Sequence, residues 1–152
     1  MKKVTWIFSA LVLAIPLLGG CVASGTQNLK TDDTRQCAQN FTYNGSFLAG
    51  RTYKTLAYLE NIKMKTAMKR AAQYTVNDGW TITNTDSELG VISATQTVSF
   101  GDGKTAPLNI GIEPHGGGIK VNMTYSTSGG VTSPLDSITN HFCSTIAAIE
   151  GK

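Results

Sequence analysis

The chain has 152 residues, of which 41% are hydrophobic and 15% charged, and its formal net charge is +3 at pH 7. This length suits one domain with a modest core. Lys2 and Lys3 belong to a predicted leader, and without them 11 basic residues face 10 acidic ones. A net charge so close to zero lacks the positive field with which proteins attract nucleic acids. The composition therefore argues against that class of partner.

Lys2 and Lys3 precede an apolar run over residues 4–18 that contains Pro16. A helix that spans a bilayer needs about 20 apolar residues, and this run is shorter. A short basic segment followed by a short apolar one is typical of a secretory signal peptide. We therefore predict that residues 1–20 are a signal peptide that is removed on export.

The apolar run ends in Leu18, Gly19, Gly20 and Cys21, a sequence that resembles the lipobox of bacterial lipoproteins. The resemblance implies cleavage before Cys21 by signal peptidase II, a diacylglycerol on the Cys21 sulfur and a further acyl chain, such as palmitate, on its amine. Two or more chains anchor a protein stably. Val22 replaces the aspartate of inner-membrane lipoproteins, which implies sorting to the outer membrane with the domain facing the periplasm. The alternative is an ordinary signal peptide, with Cys21 incidental.

The residues after the lipobox are polar and small, with little apolar periodicity. We predict that residues 21–40 form a flexible tether between the lipid and the domain.

Two further cysteines, Cys37 and Cys143, remain once Cys21 carries lipid. An oxidising periplasm allows them to pair, and a bridge would join the start of the domain to its last helix. The alternatives are two buried free thiols, or a free Cys37 in a mobile leader.

Five strands and two helices are predicted from residue 41 onward. Apolar residues at helical spacing predict helices over residues 61–79 and from residue 133 to near the C-terminus. Aromatic and β-branched residues predict the first strand, although neither of its faces is cleanly apolar. In the four later strands, apolar and polar residues alternate between glycine-rich turns, as in an antiparallel sheet. The predicted strands cover residues 51–59, 80–85, 92–100, 108–112 and 119–125.

The predicted order of elements is β-α-β-β-β-β-α. Two amphipathic helices can cover the apolar face of one twisted sheet. We therefore predict a single α+β domain over residues 41–150, a two-layer sandwich in which two helices cover an antiparallel sheet of four to five strands.

No catalytic motif of the types G-x-S-x-G, H-E-x-x-H or C-x-x-C occurs in the sequence. Glu113 and His115 share one turn, and His141 lies on the last helix without an evident partner. A metal site usually takes three or four ligands, so these residues do not predict one. We predict a non-catalytic protein without a metal or another cofactor.

Positive charge is concentrated before residue 71. Residues 21–70 carry a net charge of +5 and residues 71–152 a net charge of −4. This asymmetry predicts a basic face for anionic headgroups or an acidic protein partner, and the alternative is an ordinary solvated helix surface. The basic residues concerned are Arg51, Lys54, Lys63, Lys65, Lys69 and Arg70.

Residues 67–97 resemble the helix–strand–turn–strand segment of helix-grip domains in outer-membrane assembly lipoproteins. The shared positions are Gly79, Trp80, Ile82, Asp86, Gly90 and Ala94. The resemblance implies a helix held against a sheet. We predict a lipid-anchored envelope protein that acts as an accessory or protein-interaction module for another envelope protein. The alternative is a protein that binds a small or lipid-like ligand in a helix-grip cavity.

Overall fold

A computed structural model describes residues 25–99, 101 and 103–152 of the chain. The predicted signal peptide, residues 1–20, and the predicted lipid-attachment residue Cys21 lie outside the described residues. The first part of the predicted tether, up to residue 24, lies outside them as well.

The described chain folds into an antiparallel sheet with helices on one side. The elements in chain order are β1 (Gln27–Asn28), α1 (Gln36–Gln39), β2 (Thr42–Ser46), β3 (Gly50–Glu60), α2 (Met64–Asn77), β4 (Thr81–Asp86), β5 (Val91–Thr97), β6 (Thr105–His115), β7 (Gly118–Thr127) and α3 (Leu135–Glu150).

The sheet has seven strands in the order β1-β2-β3-β7-β6-β5-β4, and every neighbouring pair is antiparallel. The predicted α+β class is confirmed, while the predicted number of four to five strands is wrong. The additional strands are β1 and β2, which add main-chain hydrogen bonds at the edge beside β3. Their sequences, Gln-Asn and Thr-Tyr-Asn-Gly-Ser, lack the apolar alternation seen in β5, β6 and β7.

The described part of the predicted tether packs against the domain. Residues 25–40 contain β1 and α1, and within α1 Cys37 is 4% and Ala38 0% exposed. The Thr55 hydroxyl donates a hydrogen bond of 2.6 Å to the Cys37 carbonyl. A disulfide joins Cys37 to Cys143 of α3, with 5.3 Å between their Cα atoms. The packed domain thus begins before residue 41, because the disulfide and the buried turn of α1 hold this segment on the surface of α3 and β3.

One face of the sheet forms the core. On β3 the buried Tyr53, Thr55, Ala57 and Leu59 alternate with more exposed residues, as the period of two in a strand requires. The register places isoleucine, valine and methionine side chains of β5, β6 and β7 beside them. Those residues are Ile92, Ile110, Ile112, Ile119, Val121 and Met123, each at most 1% exposed.

Both long helices cover this face. Ala67 and Ala71 of α2 are fully buried, and their small side chains let α2 lie close to its neighbours. On α3, Phe142 is fully buried and its ring lies 5.9 Å from that of Phe41. The two helices also touch each other. They fill one side of the sheet, as the two-layer arrangement requires.

We expect removal of the disulfide to destabilise the domain strongly. Replacing Cys37 and Cys143 together by alanine frees a loop with a sequence separation of 106. The expected loss in the free energy of unfolding is about 2–5 kcal/mol, measured by urea denaturation. Cys21→Ala is the control and leaves this free energy unchanged. A loss below about 1 kcal/mol in the double variant would contradict the expected role of the bond.

Candidate functional site

A cleft of about 280 Å³ opens beside α3, where the chain between β7 and α3 meets the start of β4. Its walls combine aromatic rings with hydrogen-bonding groups, among them the carboxylate of Asp78. The lining residues are Asp78, Trp80, Gln96, Tyr125, Thr132, Ser133, Pro134, Ser137, Ile138 and His141. Pockets of this composition commonly take small ligands.

The junction between α2 and β4 supplies one wall of the cleft. Asp78 follows the last residue of α2, and Gly79 adopts a φ of +85°, a conformation that favours glycine. The chain therefore turns sharply and places Trp80 directly after Asp78. The Trp80 indole Nε1 donates to Asp78 Oδ2 over 3.2 Å.

His141 on α3 contacts the same carboxylate. Its Nδ1 lies 3.0 Å from Asp78 Oδ2, and its ring centre lies 5.5 Å from that of Trp80. Asp78 thereby ties the end of α2 to the middle of α3. The sequence alone indicates no partner for His141, because Asp78 and His141 lie far apart along the chain and no short motif joins them.

Burial lowers the pKa of His141 below its ordinary value of 6.5, although Asp78 acts in the opposite direction. The imidazole is therefore neutral at pH 7, and the contact with Asp78 places its proton on Nδ1. Nε2 is then an acceptor, and this buried atom has no hydrogen-bond partner among the described residues. A buried polar atom without a partner is uncommon in folded proteins.

Tyr125 and Trp80 form a rigid aromatic corner. Their rings meet edge to face at 5.9 Å, and Tyr125 also stacks on the buried Tyr53 at 5.8 Å. The Tyr125 hydroxyl lies 3.4 Å from the Ser133 hydroxyl. The Ser133 hydroxyl makes no hydrogen bond to His141 Nε2.

The structure does not bring the six predicted basic residues together. Lys63, Lys65 and Lys69 are exposed at and near the start of α2, on the helical side of the sheet. Lys54 is exposed on β3 between the buried Tyr53 and Thr55, and therefore projects from the opposite face.

The two arginines of this set have other surroundings. Arg70 Nη1 donates to the carbonyl oxygens of Ile149 and Glu150, at 3.1 and 2.9 Å, and so caps the end of α3. Arg51 has a buried Nε without a hydrogen-bond partner among the described residues.

Glu113 and His115 lie near the end of β6. Glu113 Oε1 accepts hydrogen bonds from Lys120 Nζ at 2.9 Å and Asn122 Nδ2 at 3.1 Å. The His115 ring centre lies 4.7 Å from that of Tyr58. Among the described residues there is no group of three or more His, Cys, Asp or Glu that could hold a metal ion.

The second face of the sheet is not covered by any helix of the described chain. Its central strands present hydroxyl and amide side chains that pair across strands. Thr52 and Ser126 lie 3.2 Å apart, and Ser93 Oγ donates to Asn109 Oδ1 over 2.8 Å. We call this surface the open face. It comprises Thr52, Lys54, Leu56, Tyr58, Ser93, Thr95, Asn109, Asn122, Thr124 and Ser126.

No protein-family model matches this chain, and a search of curated proteins finds no similar sequence. Within the described residues, no helix has the length and apolar character needed to cross a bilayer.

We expect the domain to lose stability as the pH falls below 6.5. Because the pKa of His141 is lower in the folded than in the unfolded chain, the unfolded chain binds a proton first, and protonation favours unfolding. The free energy of unfolding starts to fall when the pH nears the pKa of His141 in the unfolded chain. The fall ends when the pH is below the pKa of His141 in the folded chain. Urea denaturation between pH 5 and 7.5 measures it.

The variant His141→Gln should remove most of this pH dependence. His115→Gln changes the other histidine of the sequence and should retain it. Equal pH profiles for the wild type and His141→Gln would contradict the assignment.

Proposed function

We propose that this protein is a lipid-anchored, non-catalytic binding protein of the bacterial envelope. The basic, apolar and lipobox segments of residues 1–21 support attachment through Cys21, and Val22 supports the outer membrane. In this proposal residues 22–26 link the lipid to a periplasmic domain.

The cleft between Trp80 and His141 is the proposed binding site for a small ligand. The observation that carries the proposal is the meeting of aromatic rings, Trp80 and Tyr125, with the polar Asp78–His141 pair in one solvent-open cleft. The hydroxyls of Ser133 and Ser137 in the lining offer hydrogen bonds to such a ligand. The rings of Trp80 and Tyr125 suit the ligand's apolar side.

A ligand in this cleft would lie at the rim of the domain. The space between the helices and the sheet is filled by fully buried side chains, such as Phe41, Phe142 and Tyr53. The helix-grip resemblance implied an enclosed cavity, whereas the cleft is open to solvent at the start of α3.

The test is native mass spectrometry of the mature protein, extracted from its own envelope in mild detergent. We expect a bound small molecule in the wild type and its loss, by at least about tenfold in occupancy, in Ser137→Leu, which fills the cleft. Ser144→Leu is the matched control, because Ser144 is an exposed serine of the same helix outside the cleft. Equal occupancy in both variants would contradict the site.

Tryptophan fluorescence gives an independent measurement. The sequence has two tryptophans, Trp6 and Trp80, and Trp6 leaves with the predicted signal peptide. The tryptophan emission of the mature protein therefore comes from Trp80 alone and reports on the cleft. Removal and return of the bound molecule should shift it in the wild type and in Ser144→Leu, but not in Ser137→Leu.

Docking of an envelope protein on the open face is the second candidate. The observation in its favour is the exposed Tyr58, which is 42% accessible beside Leu56 on a sheet face without a helical cover. Antiparallel sheets commonly have one solvent-exposed face, so an uncovered face does not by itself indicate a partner. This candidate therefore ranks below the cleft.

A photo-crosslinking amino acid at Asn109 tests this candidate in living cells. We expect one discrete adduct with another protein from position 109, at the centre of the open face. Thr66, an exposed residue on α2, is the control position and should give none. Absence of an adduct at 109, or equal adducts at both positions, would contradict docking on the open face.

A further inference from the structure

We propose that the tip of the β2–β3 hairpin, Phe47-Leu48-Ala49, inserts into the interface of the membrane that holds the lipid anchor. The inference rests on the proposed attachment through Cys21. It adds a second contact, made by the folded domain itself, and thus fixes which end of the sheet faces the bilayer.

The hairpin tip exposes adjacent apolar side chains. Phe47 is 47% and Leu48 85% exposed, and Ala49 follows them. Single exposed apolar residues are common on soluble proteins, but two large ones side by side at a projecting turn form a compact apolar point. Transfer of such side chains from water to an apolar environment is favourable.

The path of the chain brings the anchor to the same end of the sheet. In β1, Gln27 pairs with Tyr43 and Asn28 with Thr42, so β1 runs antiparallel to β2. From Gln27 toward lower residue numbers, the chain therefore points the same way as β2 does from Tyr43 toward Phe47, which is toward the tip. Gly25 is the first described residue, and it is four residues from Cys21.

The distance between the anchor and the domain is short. Four residues span at most about 14 Å when fully extended. From Tyr43 to Phe47, β2 itself advances by about 13 Å. A lipid on Cys21 is thus confined to the neighbourhood of the tip, whereas the opposite end of the strands lies farther away.

The tip is held in place by the chain that follows β7. The Gly130 amide donates to the Phe47 carbonyl over 2.8 Å, and the Ala49 amide donates to Ser46 Oγ over 3.2 Å. Gly129 packs so closely that a Cβ there would collide with the Leu48 carbonyl oxygen. Because these contacts fix the backbone, Phe47 and Leu48 project without the entropy loss of ordering a loose loop.

The hairpin that carries the tip has no acidic side chain. Residues 41–59 contain no carboxylate, and Lys104 Nζ donates to the Gly129 carbonyl over 3.3 Å beside the tip. The turn between β4 and β5 differs. Leu89 is 73% exposed there, but Asp86 accepts hydrogen bonds from its amide and from that of Glu88. This turn lies at the far end of the sheet and carries two carboxylates.

Leu48 and Leu89 therefore provide a matched pair for a depth measurement. The full mature lipoprotein is reconstituted into vesicles of phosphatidylethanolamine and phosphatidylglycerol that contain a brominated phosphatidylcholine, which quenches tryptophan at the interface. The variants are Leu48→Trp and Leu89→Trp. The wild type supplies the emission of Trp80, which is subtracted from both.

We expect the tryptophan at position 48 to shift to shorter wavelength and to lose most of its emission to bromine. The tryptophan at position 89 should keep the emission of a solvent-exposed residue. Flotation of each sample in a density gradient reports the lipid anchor separately from the hairpin.

If the protein floats with the vesicles but the tryptophan at position 48 is not quenched, the hairpin does not insert and the inference is wrong. The proposed lipid attachment is then still supported. A blue shift at position 48 without quenching also overturns it, because the tip is then covered by a protein or a second copy of the chain. Equal quenching at 48 and 89 overturns the proposed orientation. Failure of the wild type to float overturns the lipid anchor and, with it, the inference.

Discussion

The disulfide between Cys37 and Cys143 decides where the chain enters the domain. It fixes the single turn of α1 against α3, and the Thr55 hydroxyl fastens the same turn to β3. From this fixed point the chain continues directly into Phe41, which is fully buried between Phe142 and Tyr53. β1 and β2 then have a defined position at the sheet edge. Without that constraint, a segment so poor in apolar residues would have little reason to pack, since its burial would not offset the entropy of ordering it.

The same bond has a second consequence, because it holds α3 as well. His141 lies two residues before Cys143, and its orientation toward Asp78 depends on the position of α3. Arg70 closes the other end of α3 by binding its last carbonyl groups. The helix that carries the cleft is therefore fastened near its middle and at its C-terminus, while its N-terminal turn borders the cleft. Rigid support beneath a binding surface reduces the entropy lost when a ligand binds.

The sequence predicts best the elements whose apolar period is regular. β3 to β7 and both long helices arise where predicted. In β5, β6 and β7 apolar and more polar residues alternate, and in α2 Ala67, Met68 and Ala71 share one face. β1 and β2 were not predicted, because their sequences carry no apolar pattern. Main-chain hydrogen bonds and the nearby disulfide stabilise them instead. The Asp78–His141 contact joins two elements distant in sequence. The placement of two residues of the predicted basic face also depends on the fold: Lys54 projects from the sheet face opposite the helices, and Arg70 binds the last carbonyl groups of α3.

The cleft and the hairpin tip lie at the same end of the sheet, and one segment connects them. Residues 128–134 run from β7 to α3, and within this segment Gly130 supports Phe47 while Ser133 faces Tyr125 in the cleft. Gly90, in the turn at the opposite end, packs against the Ile112 carbonyl. A domain that meets the membrane through Phe47 and Leu48 therefore holds the cleft within the region next to the headgroups and points the β4–β5 turn into the periplasm. Membrane contact and ligand entry would then act on one short segment, because movement of the Gly129–Gly130 support shifts the chain that forms the cleft's wall.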